Sequence, residues 1–379
     1  MPSLPKRLAI LGGTGNTGIK IADLLLQYTK TQIVLGARNK QKLEKVTREL
    51  SERHETNRIS FACVDILDSK SLHAFLKDAD MVIVASATAD FADRVVQCAI
   101  KTNTDYLDIH YSSHKLELLK NMKKEIDESD SLIITEAGFH PGLPSALIRY
   151  ADKKIEDLSS AIIGGVLNVN WADIHVNPST EKEFASEIAD FRMEIYEKGQ
   201  WKKASMWSTK DLITMDVGEP IGERMMSPMF FEELYDLPER IPSLEKTGFY
   251  IAGTHWFSDY IIMPIVYFGL KLFPKVGLRL FGKLLFWSWA KFSKPPYRVV
   301  IQLEAMGTEK TMKLCLSHDD GYWFTAIPVV ACIKQYLSGQ LPQTGLHYMG
   351  HIVEPDQLLN DMKMMGVNII ETILPKNAL

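Results

Sequence analysis

The stretch that decides the fold reads Arg7-Leu8-Ala9-Ile10-Leu11-Gly12-Gly13-Thr14-Gly15-Asn16-Thr17-Gly18. Its apolar start predicts a buried strand, and the helical pattern that follows at 19–28 makes the glycines a strand-to-helix turn. Gly13 allows a tight turn, Gly15 lets a pyrophosphate approach the backbone, and Gly18 lets the helix pack against the strand. The helix N-terminus offers free N–H groups to a phosphate. The predicted phosphate-binding residues are therefore Gly13, Thr14, Gly15, Asn16, Thr17 and Gly18.

Strands and helices continue to alternate as far as residue 135. Further strands are predicted at Gln32–Leu35, Ile59–Val64, Met81–Ala85, Asp105–Ile109 and Ser131–Thr135. Charged or amphipathic helices are predicted between them, at Lys40–Arg53, Ser69–Leu76, Ala92–Lys101 and His114–Glu128. Parallel strands that are buried on both faces are continuous apolar runs, and Met81–Ala85 is such a run. The sequence thus predicts the α/β class, with a Rossmann dinucleotide-binding domain, a doubly wound parallel sheet, over residues 1–138.

Residues 139–324 are expected to form a second α/β domain, for substrate binding and dimerisation, on a mixed and mostly antiparallel sheet. Its predicted strands are Ser160–Asn170, Lys202–Trp207, Leu212–Asp216, Arg298–Glu304 and Lys310–Leu316. A helix is predicted at Thr180–Lys198, where Ser179 begins a capping signal. The acidic segment His318–Gly321 predicts a hairpin turn. Residues 325–379 are expected to be a helical segment that packs back on the first domain.

The residues that follow the predicted strands indicate the cofactor, because ligands of such sheets bind at the carboxyl ends of the strands. The second strand is followed by Arg38, where an NAD enzyme usually has a carboxylate. Arg38 suits the 2′-phosphate, so NADP is favoured and NAD is the alternative. Asp65 and Ile66 are expected beside the adenine. Ser86, Ala87 and Thr88 are expected beside the nicotinamide ribose.

Composition describes an ordinary folded chain of 379 residues, long enough for two domains, with 46% hydrophobic residues. The net charge of −4 and the absence of a long basic block argue against a nucleic-acid partner. The four cysteines are far apart and are expected to be buried thiols in a reducing compartment. Without a recognisable signal peptide, the cytoplasm is the expected location.

One segment, residues 255–294, departs from this average. It carries six basic residues against Asp259 alone, so its charge is 6 − 1 = +5 and the rest of the chain is −4 − 5 = −9. Its longest uncharged run, Tyr260–Leu270, is too short to span a bilayer. Basic residues recur four apart at Lys271/Lys275 and Arg279/Lys283, among many aromatic residues. The pattern is typical of a helix that lies on an anionic membrane surface. A buried dimer interface or a cover over the substrate pocket, with the lysines extending to water, is the favoured alternative.

The turn Glu136-Ala137-Gly138-Phe139-His140-Pro141-Gly142-Leu143-Pro144 resembles the saccharopine dehydrogenase-like family. In that family a strand ends in a Gly-x-x-Pro-Gly-Leu turn that opens a helix of the second domain. The glycine-rich start, Tyr106-Leu107-Asp108, and the apolar segment 325–337 followed by Ser338-Gly339-Gln340 agree with the resemblance. The resemblance implies an NADP-dependent oxidoreductase and a backbone-shaping role for Gly138 next to the cofactor.

A nicotinamide enzyme needs a group that handles the proton accompanying the hydride. His140 is the first candidate, because it lies in the Pro-Gly turn and imidazole titrates near neutral pH. His110 and Tyr111, after the fifth strand, are the other candidates, and each histidine has a structural alternative. Asp108 is expected to accept hydrogen bonds from backbone N–H groups. No metal site is expected, since His347 and His351 lack a third ligand.

These observations favour an NADP(H)-dependent oxidoreductase, a homodimer, acting on a small-molecule substrate at a C–N, C–O or activated C–C bond. Methionines at 206, 215, 225, 226 and 229 suggest a soft apolar surface and a lipid-like substrate, although such residues are more often core. A lysine- or saccharopine-type amino-acid or imine enzyme is the second hypothesis. It requires arginines for the substrate carboxylates, and Arg192, Arg224 and Arg240 are scattered. The third is a non-catalytic NADP(H)-binding protein at a membrane.

Overall fold

The fold is taken from a computed structural model, which describes residues 5–173, 181, 185, 187–188, 191–205, 208–253, 255–273 and 277–376. The chain divides into two compact units. The first comprises Met1–Ala146 and Thr325–Met365, and the second comprises Leu147–Phe324 and Gly366–Leu379.

The first unit is built on a seven-stranded parallel sheet. Its strands are β1 (Arg7–Leu11), β2 (Gln32–Ala37), β3 (Ile59–Cys63), β4 (Met81–Val84), β5 (Asp105–Asp108), β6 (Leu132–Thr135) and β15 (Gly345–Tyr348). The strand order is β15-β6-β5-β4-β1-β2-β3. The chain order therefore reverses between β4 and β1, which is the point where doubly wound sheets bind dinucleotides. The predicted Rossmann fold is confirmed.

Helices connect these strands. Each helix carries one apolar stripe, which packs on the sheet and is buried there. They are α1 (Asn16–Tyr28), α2 (Lys40–Arg53), α3 (Ser69–Leu76), α4 (Ala92–Lys101), α5 (Ser113–Asn121) and α6 (Lys123–Asp127). In α2, Leu43 and Leu50 are two turns apart and both are buried. Asn39 caps that helix, since its side chain accepts a hydrogen bond from the Lys42 N–H. Helices α12 (Met349–Ile352) and α13 (Pro355–Met364) complete the unit.

The second unit is built on a nine-stranded mixed sheet, whose main path runs β10-β11-β12-β7-β13-β14-β16. Its strands are β7 (Ser160–Asn168), β8 (Glu194–Glu197), β9 (Gln200–Lys203), β10 (Ile213–Asp216), β11 (Glu223–Met229), β12 (Lys246–Ala252), β13 (Arg298–Met306), β14 (Lys310–His318) and β16 (Asn368–Pro375). The β12–β7 pair is parallel and the other pairs are antiparallel. This confirms the mixed, mostly antiparallel sheet.

Helix α7 (Leu143–Lys154) and helix α11 (Gly321–Leu337) each run across a boundary of the two units. Within the second unit lie α8 (Leu237–Arg240), α9 (Met263–Leu272) and α10 (Gly277–Phe292), and one turn of π-helix precedes α9. Helices α9 and α10 pack together around Val266, Leu270 and Leu285. Their close approach needs Gly269, because a side chain there would overlap the Phe281 ring.

Three local predictions are wrong. The segment after β14 is not a hairpin turn: Asp320 accepts hydrogen bonds from the N–H groups of Tyr322 and Trp323 and so caps α11. The end of the helix predicted at Thr180–Lys198 is β8, which pairs with β9 and β12. Residues 179 and 180 lie outside the described chain, as do Met206, Trp207 and Lys275.

The third error concerns the cysteines, because Cys63 is exposed at the end of β3, Cys98 and Cys315 are half-buried, and Cys332 alone is buried.

The methionines that the sequence analysis singled out also differ in their burial. Met215 and Met226 are core residues that fill the space over Gly164, whereas Met225 is 48% exposed. The core methionines thus offer no surface to a substrate.

Candidate functional site

The glycine turn between β1 and α1 is held by its own backbone. The N–H groups of Gly12 and Gly13 donate to the Gly36 carbonyl at 2.9 and 3.2 Å, and the Gly15 N–H donates to the Gly12 carbonyl at 2.8 Å. The sequence analysis assigned the tight turn to Gly13. The residue with the positive φ is Gly12, at +82°, so that prediction is wrong by one residue. A side chain at Gly18 would overlap the Gly12 carbonyl, as expected for a helix packed tightly on the turn.

The N-terminus of α1 is open to a ligand. Its N-cap residue is Gly15, and no side chain of the described residues caps the helix. Asn16 is exposed, and Thr14 and Thr17 are half-buried. The free N–H groups and the partial positive charge at this end therefore remain available to a phosphate.

Arg38 follows β2 directly and its side chain is exposed. The structure gives its guanidinium no hydrogen-bond or ion-pair partner among the described residues, whereas the neighbouring Lys40 pairs with Glu44 at 3.7 Å. Arg38 comes two residues after Gly36, whose carbonyl holds the glycine turn, and an unpaired guanidinium fits a phosphate of the cofactor.

Asp65 and Ile66 follow β3, and both are half-buried. Asp65 accepts a hydrogen bond from the Leu67 N–H at 3.0 Å, and Ile66 packs against the core of the first unit. In strand order β2 and β3 lie on one side of β1, and β4 and β5 lie on the other. Arg38 and Asp65 are thus on one side of the glycine turn, and the residues after β4 and β5 are on the opposite side.

Ser86 lies directly beside the glycine turn. A Cβ at Gly12 would be 2.8 Å from the Ser86 Cβ. The Ser86 and Thr88 hydroxyls are 3.0 Å apart, and Ala87 between them is exposed. His110 joins this group, because its Nε2 lies 2.5 Å from the Ser86 carbonyl oxygen. A carbonyl oxygen only accepts hydrogen bonds, so His110 Nε2 carries a proton.

Behind His110 lies a buried network centred on Asp108. Its Oδ1 accepts from Lys115 Nζ at 2.8 Å and from the His110 N–H at 3.1 Å, and its Oδ2 accepts from Thr135 Oγ1 at 2.9 Å. Tyr106 also donates to Oδ2, at 3.0 Å. Burial raises the pKa of Asp108, but Lys115, His110 and the hydrogen bonds from Lys115 and Thr135 outweigh it, so the pKa lies below its usual value.

Lys115 is the residue of this network that the sequence did not identify. Its side chain is fully buried, and its Nζ also donates to the His110 carbonyl at 2.6 Å. The residue lies in an otherwise ordinary amphipathic helix, α5, so the only sequence signal is a lysine on the apolar face of that helix. Lys115 and Asp108 together hold the loop that positions His110.

The Pro-Gly turn follows β6 and is joined to the same network. The Glu136 N–H lies 3.3 Å from Asp108 Oδ1, and the Ala137 N–H donates to the Asp108 carbonyl at 2.8 Å. Gly142 has a φ of +119°, and a Cβ there would be 2.5 Å from the Glu136 carbonyl. Gly138 is buried within this turn. The predicted role of Asp108 as an acceptor for backbone N–H groups agrees with this geometry.

His140 and Tyr111 are both half-buried. The His140 ring stacks on Phe139 with centroids 3.8 Å apart. Burial lowers the pKa of His140 to about 4, against the opposing effect of a hydrogen bond with its own backbone. The expectation that His140 titrates near neutral pH is therefore wrong, and its imidazole is neutral at pH 7.

These contacts give one candidate site at the carboxyl edge of the first sheet. The structure brings together the glycine turn, Ser86, His110 and the turn after β6 through direct contacts. The open helix N-terminus and the unpaired Arg38 fit the phosphates of a dinucleotide. Among the described residues, no group of three or more His, Cys, Asp or Glu is placed to hold a metal ion.

Comparison with known proteins agrees with this geometry. Residues 8–133 match the family described as saccharopine dehydrogenase NADP binding domain. No curated protein matches the sequence. Among solved structures, apo saccharopine dehydrogenase (L-Glu forming) from Saccharomyces cerevisiae is similar, with a TM-score of 0.68 and 15% identity over 97% of this chain and 100% of that one.

A myo-inositol dehydrogenase from Corynebacterium glutamicum is less similar, with a TM-score of 0.46 and 12% identity over 99% of this chain and 100% of that one. The yeast comparison shows a shared fold along nearly the whole chain. The family match covers the glycine turn, Arg38, Ser86 and His110. Residues 8–133, within the first unit, thus match an NADP-binding domain of the saccharopine dehydrogenase type.

Proposed function

We propose that the chain is an NADP(H)-dependent oxidoreductase that moves a hydride to or from a C–N, C–O or activated C–C bond of a small molecule. The observation that carries the proposal is the glycine turn, with its uncapped helix N-terminus, inside a domain of an NADP-binding family. Bound NADP(H) supplies the hydride or accepts it. The chain's own residues bind and orient the reactants and handle the proton.

Residues of both sides of the turn would hold the cofactor. Gly15 and the first N–H groups of α1 would bind the pyrophosphate, and Arg38 would bind the 2′-phosphate and so favour NADP over NAD. Asp65 and Ile66 would border the adenine. Ser86, Ala87 and Thr88 would border the nicotinamide ribose, with Gly138 as a backbone neighbour of the cofactor.

Proton handling is assigned to the group formed by His140, His110 and Tyr111. His140 is neutral at pH 7, so we assign it the donation of a hydrogen bond to a substrate carbonyl or imine, not the role of an imidazolium acid. His110 is the second candidate: its Nε2 donates to the Ser86 carbonyl, and its Nδ1 lies 4.0 Å from Asp108 Oδ1. The Tyr111 phenol is the third candidate.

Turnover tests this proposal. The full chain is mixed with NADPH and either a long-chain aldehyde or a 2-oxo acid with an amine, and loss of the reduced nicotinamide absorbance is followed. Oxidation with one of these two substrate classes, weakened in His140→Ala, supports the proposal. NADPH binding without oxidation by either class favours the non-catalytic hypothesis.

We further propose that residues 255–294 contact an anionic membrane surface. Apart from Lys271, the side chains exposed on α9 and the turn before it form one apolar stripe of Ile261, Ile265, Phe268 and Leu272, the last 73% exposed. The exposed stripe of α10 combines three basic residues with two apolar ones: Arg279, Leu280, Lys283, Trp287 and Lys291. Such a surface matches acyl chains and anionic headgroups together. No helix in the described part of the chain combines the length and apolar character that crossing a membrane requires.

This surface is also what supports an apolar or lipid-like substrate, since the buried methionines do not. The amino-acid alternative gains little from the arginines, because Arg192 is already paired with Glu232 at 3.1 Å and Glu194 at 3.5 Å. A homodimer in the cytoplasm, in contact with the membrane surface, completes the proposal.

A further inference from the structure

We propose that a second copy of this chain pairs with the first along the open edge of β16, antiparallel, about a two-fold axis at Thr372. The inference rests on the homodimer proposed above and assigns the surface that forms it. It joins two nine-stranded sheets into one continuous sheet.

Strand β16 is an edge strand of unusual exposure. It is last in the strand order, and along its whole length, Asn368–Pro375, it pairs with β14 alone among the described strands. Seven of its eight residues are exposed, and these lie on both faces of the sheet. Ile370 is 57% exposed, Ile373 38% and Leu374 39%. Long, apolar, exposed edges are the ones that pair with another chain.

The register with β14 identifies the backbone groups that are available. The Lys376 N–H donates to the Glu309 carbonyl at 2.7 Å, so even-numbered residues of the strand direct their N–H and C=O groups to β14. The groups of Ile369, Glu371 and Ile373 therefore point to the open edge. They form the row of donors and acceptors that a second strand would use.

Symmetry restricts how two copies of β16 can pair. Directly opposed residues of antiparallel strands lie on the same face, and the side-chain period along a strand is two. The axis must therefore pass midway between one residue and the same residue of the second copy. Two centres use the strand almost fully, Glu371 and Thr372. The first would oppose two carboxylates, which is destabilising, and the second opposes two threonines, which is favourable.

A centre at Thr372 also matches the apolar side chains. It places Ile370 opposite Leu374 of the second copy, on the same face as Thr372. Glu371 and Ile373 of the second copy then exchange backbone hydrogen bonds, and so do their symmetry mates. The strand is complementary to itself in this register, which is why the partner is a second copy and not another protein.

Cysteine cross-linking tests the register directly. The background carries Cys63→Ser and Cys315→Ser, because Cys63 is exposed and Cys315 lies opposite Ile370 within the chain. Opposed residues are close enough for a disulfide. Under mild oxidation we expect Thr372→Cys to form a dimer across the axis. Ile370→Cys alone and Leu374→Cys alone should give no cross-linked dimer, whereas a chain that carries both substitutions should give one.

Sedimentation of the unmodified full chain accompanies this test. A monomer would refute the homodimer and this inference together. A dimer in which Thr372→Cys does not cross-link, or cross-links no better than Ile370→Cys, would refute the β16 surface and leave the homodimer standing. Ile370→Lys with Leu374→Lys should weaken dimerisation by about tenfold or more, because lysines then oppose each other. An unchanged dimer in that variant, with its thermal unfolding preserved, also overturns the inference.

Discussion

Asp108 and Lys115 show how one buried ion pair can organise a site. Both side chains are completely buried, and their 2.8 Å contact connects β5 to α5. The same carboxylate holds the N–H groups of His110 and Glu136. The pair therefore fixes the two loops that carry the proton-handling candidates, and we regard Lys115 as a positioning residue.

Replacing Lys115 with Met should destabilise the fold by about 3–5 kcal/mol, because Asp108 would stay buried without its cation. Urea unfolding at neutral pH measures this. Lys124→Met, which removes only the exposed pair with Glu128, should change stability by about 1 kcal/mol or less. An equal effect in both variants would contradict the positioning role.

The difference in stability between the native chain and Lys115→Met should change with pH in a direction that the pKa of Asp108 determines. The pKa of Asp108 is lower in the folded chain than its ordinary value of 3.8, so its stabilising contribution is present above about pH 4 and is lost as the pH falls further. The gap between the native chain and Lys115→Met should therefore narrow below about pH 4.

Arg38 is the residue on which cofactor choice depends. Arg38→Asp should weaken NADPH binding by about 10- to 100-fold, the effect of losing a charge-assisted bond of about 1.5–3 kcal/mol. NADH binding should be unchanged or tighter. Titration of both cofactors measures the effect, with Lys45→Asp on the exposed side of α2 as the control. Unchanged NADPH affinity would remove Arg38 from the site.

At the scale of single elements, the turn that leads into α9 contains an acid in an unfavourable place. Burial raises the pKa of Asp259 to about 7, although hydrogen bonds with the backbone of His255 and Gly253 oppose the rise. A side chain at Gly253 would overlap the Asp259 carboxyl, so this glycine is what lets the acid fit. The turn and the helices α9 and α10 that follow it are thus less stable when Asp259 is ionised.

Because that pKa is raised, the stability that protonated Asp259 contributes is complete below about pH 4 and is lost as the pH rises through about 7. Asp259→Asn should consequently stabilise the chain increasingly between these values, to about 4 kcal/mol above pH 8. Thermal unfolding over pH 5–9 checks this, with exposed Asp90→Asn as the control. A gain that does not vary with pH would be contrary evidence.

Elements that depend on local patterns could be predicted from the sequence. The apolar run of β1, the glycines after it and the periodic helices of the first unit are such patterns, and the structure contains the elements that they predict. Strand β15 was missed because it reaches β6 from more than 200 residues later in the chain. The Asp108–Lys115 pair and the β8–β9 hairpin also arise from tertiary contacts, and the positive φ of Gly12 is a property of the folded turn.

At the scale of the whole molecule, charge and apolar exposure are concentrated in one segment. Residues 255–294 carry +5 and the rest of the chain carries −9. In solution this distribution leaves Trp256, Phe273 and Leu280 each more than 60% exposed, which is costly unless a surface covers them.

We expect the full chain to bind vesicles that contain phosphatidylserine and to bind neutral phosphatidylcholine vesicles weakly. Arg279→Gln with Lys283→Gln should weaken the first interaction by about 30-fold, at about 1 kcal/mol for each cation. Co-sedimentation measures it, with exposed Leu67→Ser in the first unit as the control. Equal binding to both kinds of vesicle would exclude the electrostatic part of the proposal.

The central claim is that the first unit binds NADP(H) through its glycine turn and Arg38. Equilibrium titration of the full chain with NADPH and with NADH, followed by nicotinamide fluorescence, tests it most directly. We predict saturable binding of NADPH that is at least about tenfold tighter than that of NADH. Absence of NADPH binding, or a preference for NADH, would contradict the claim.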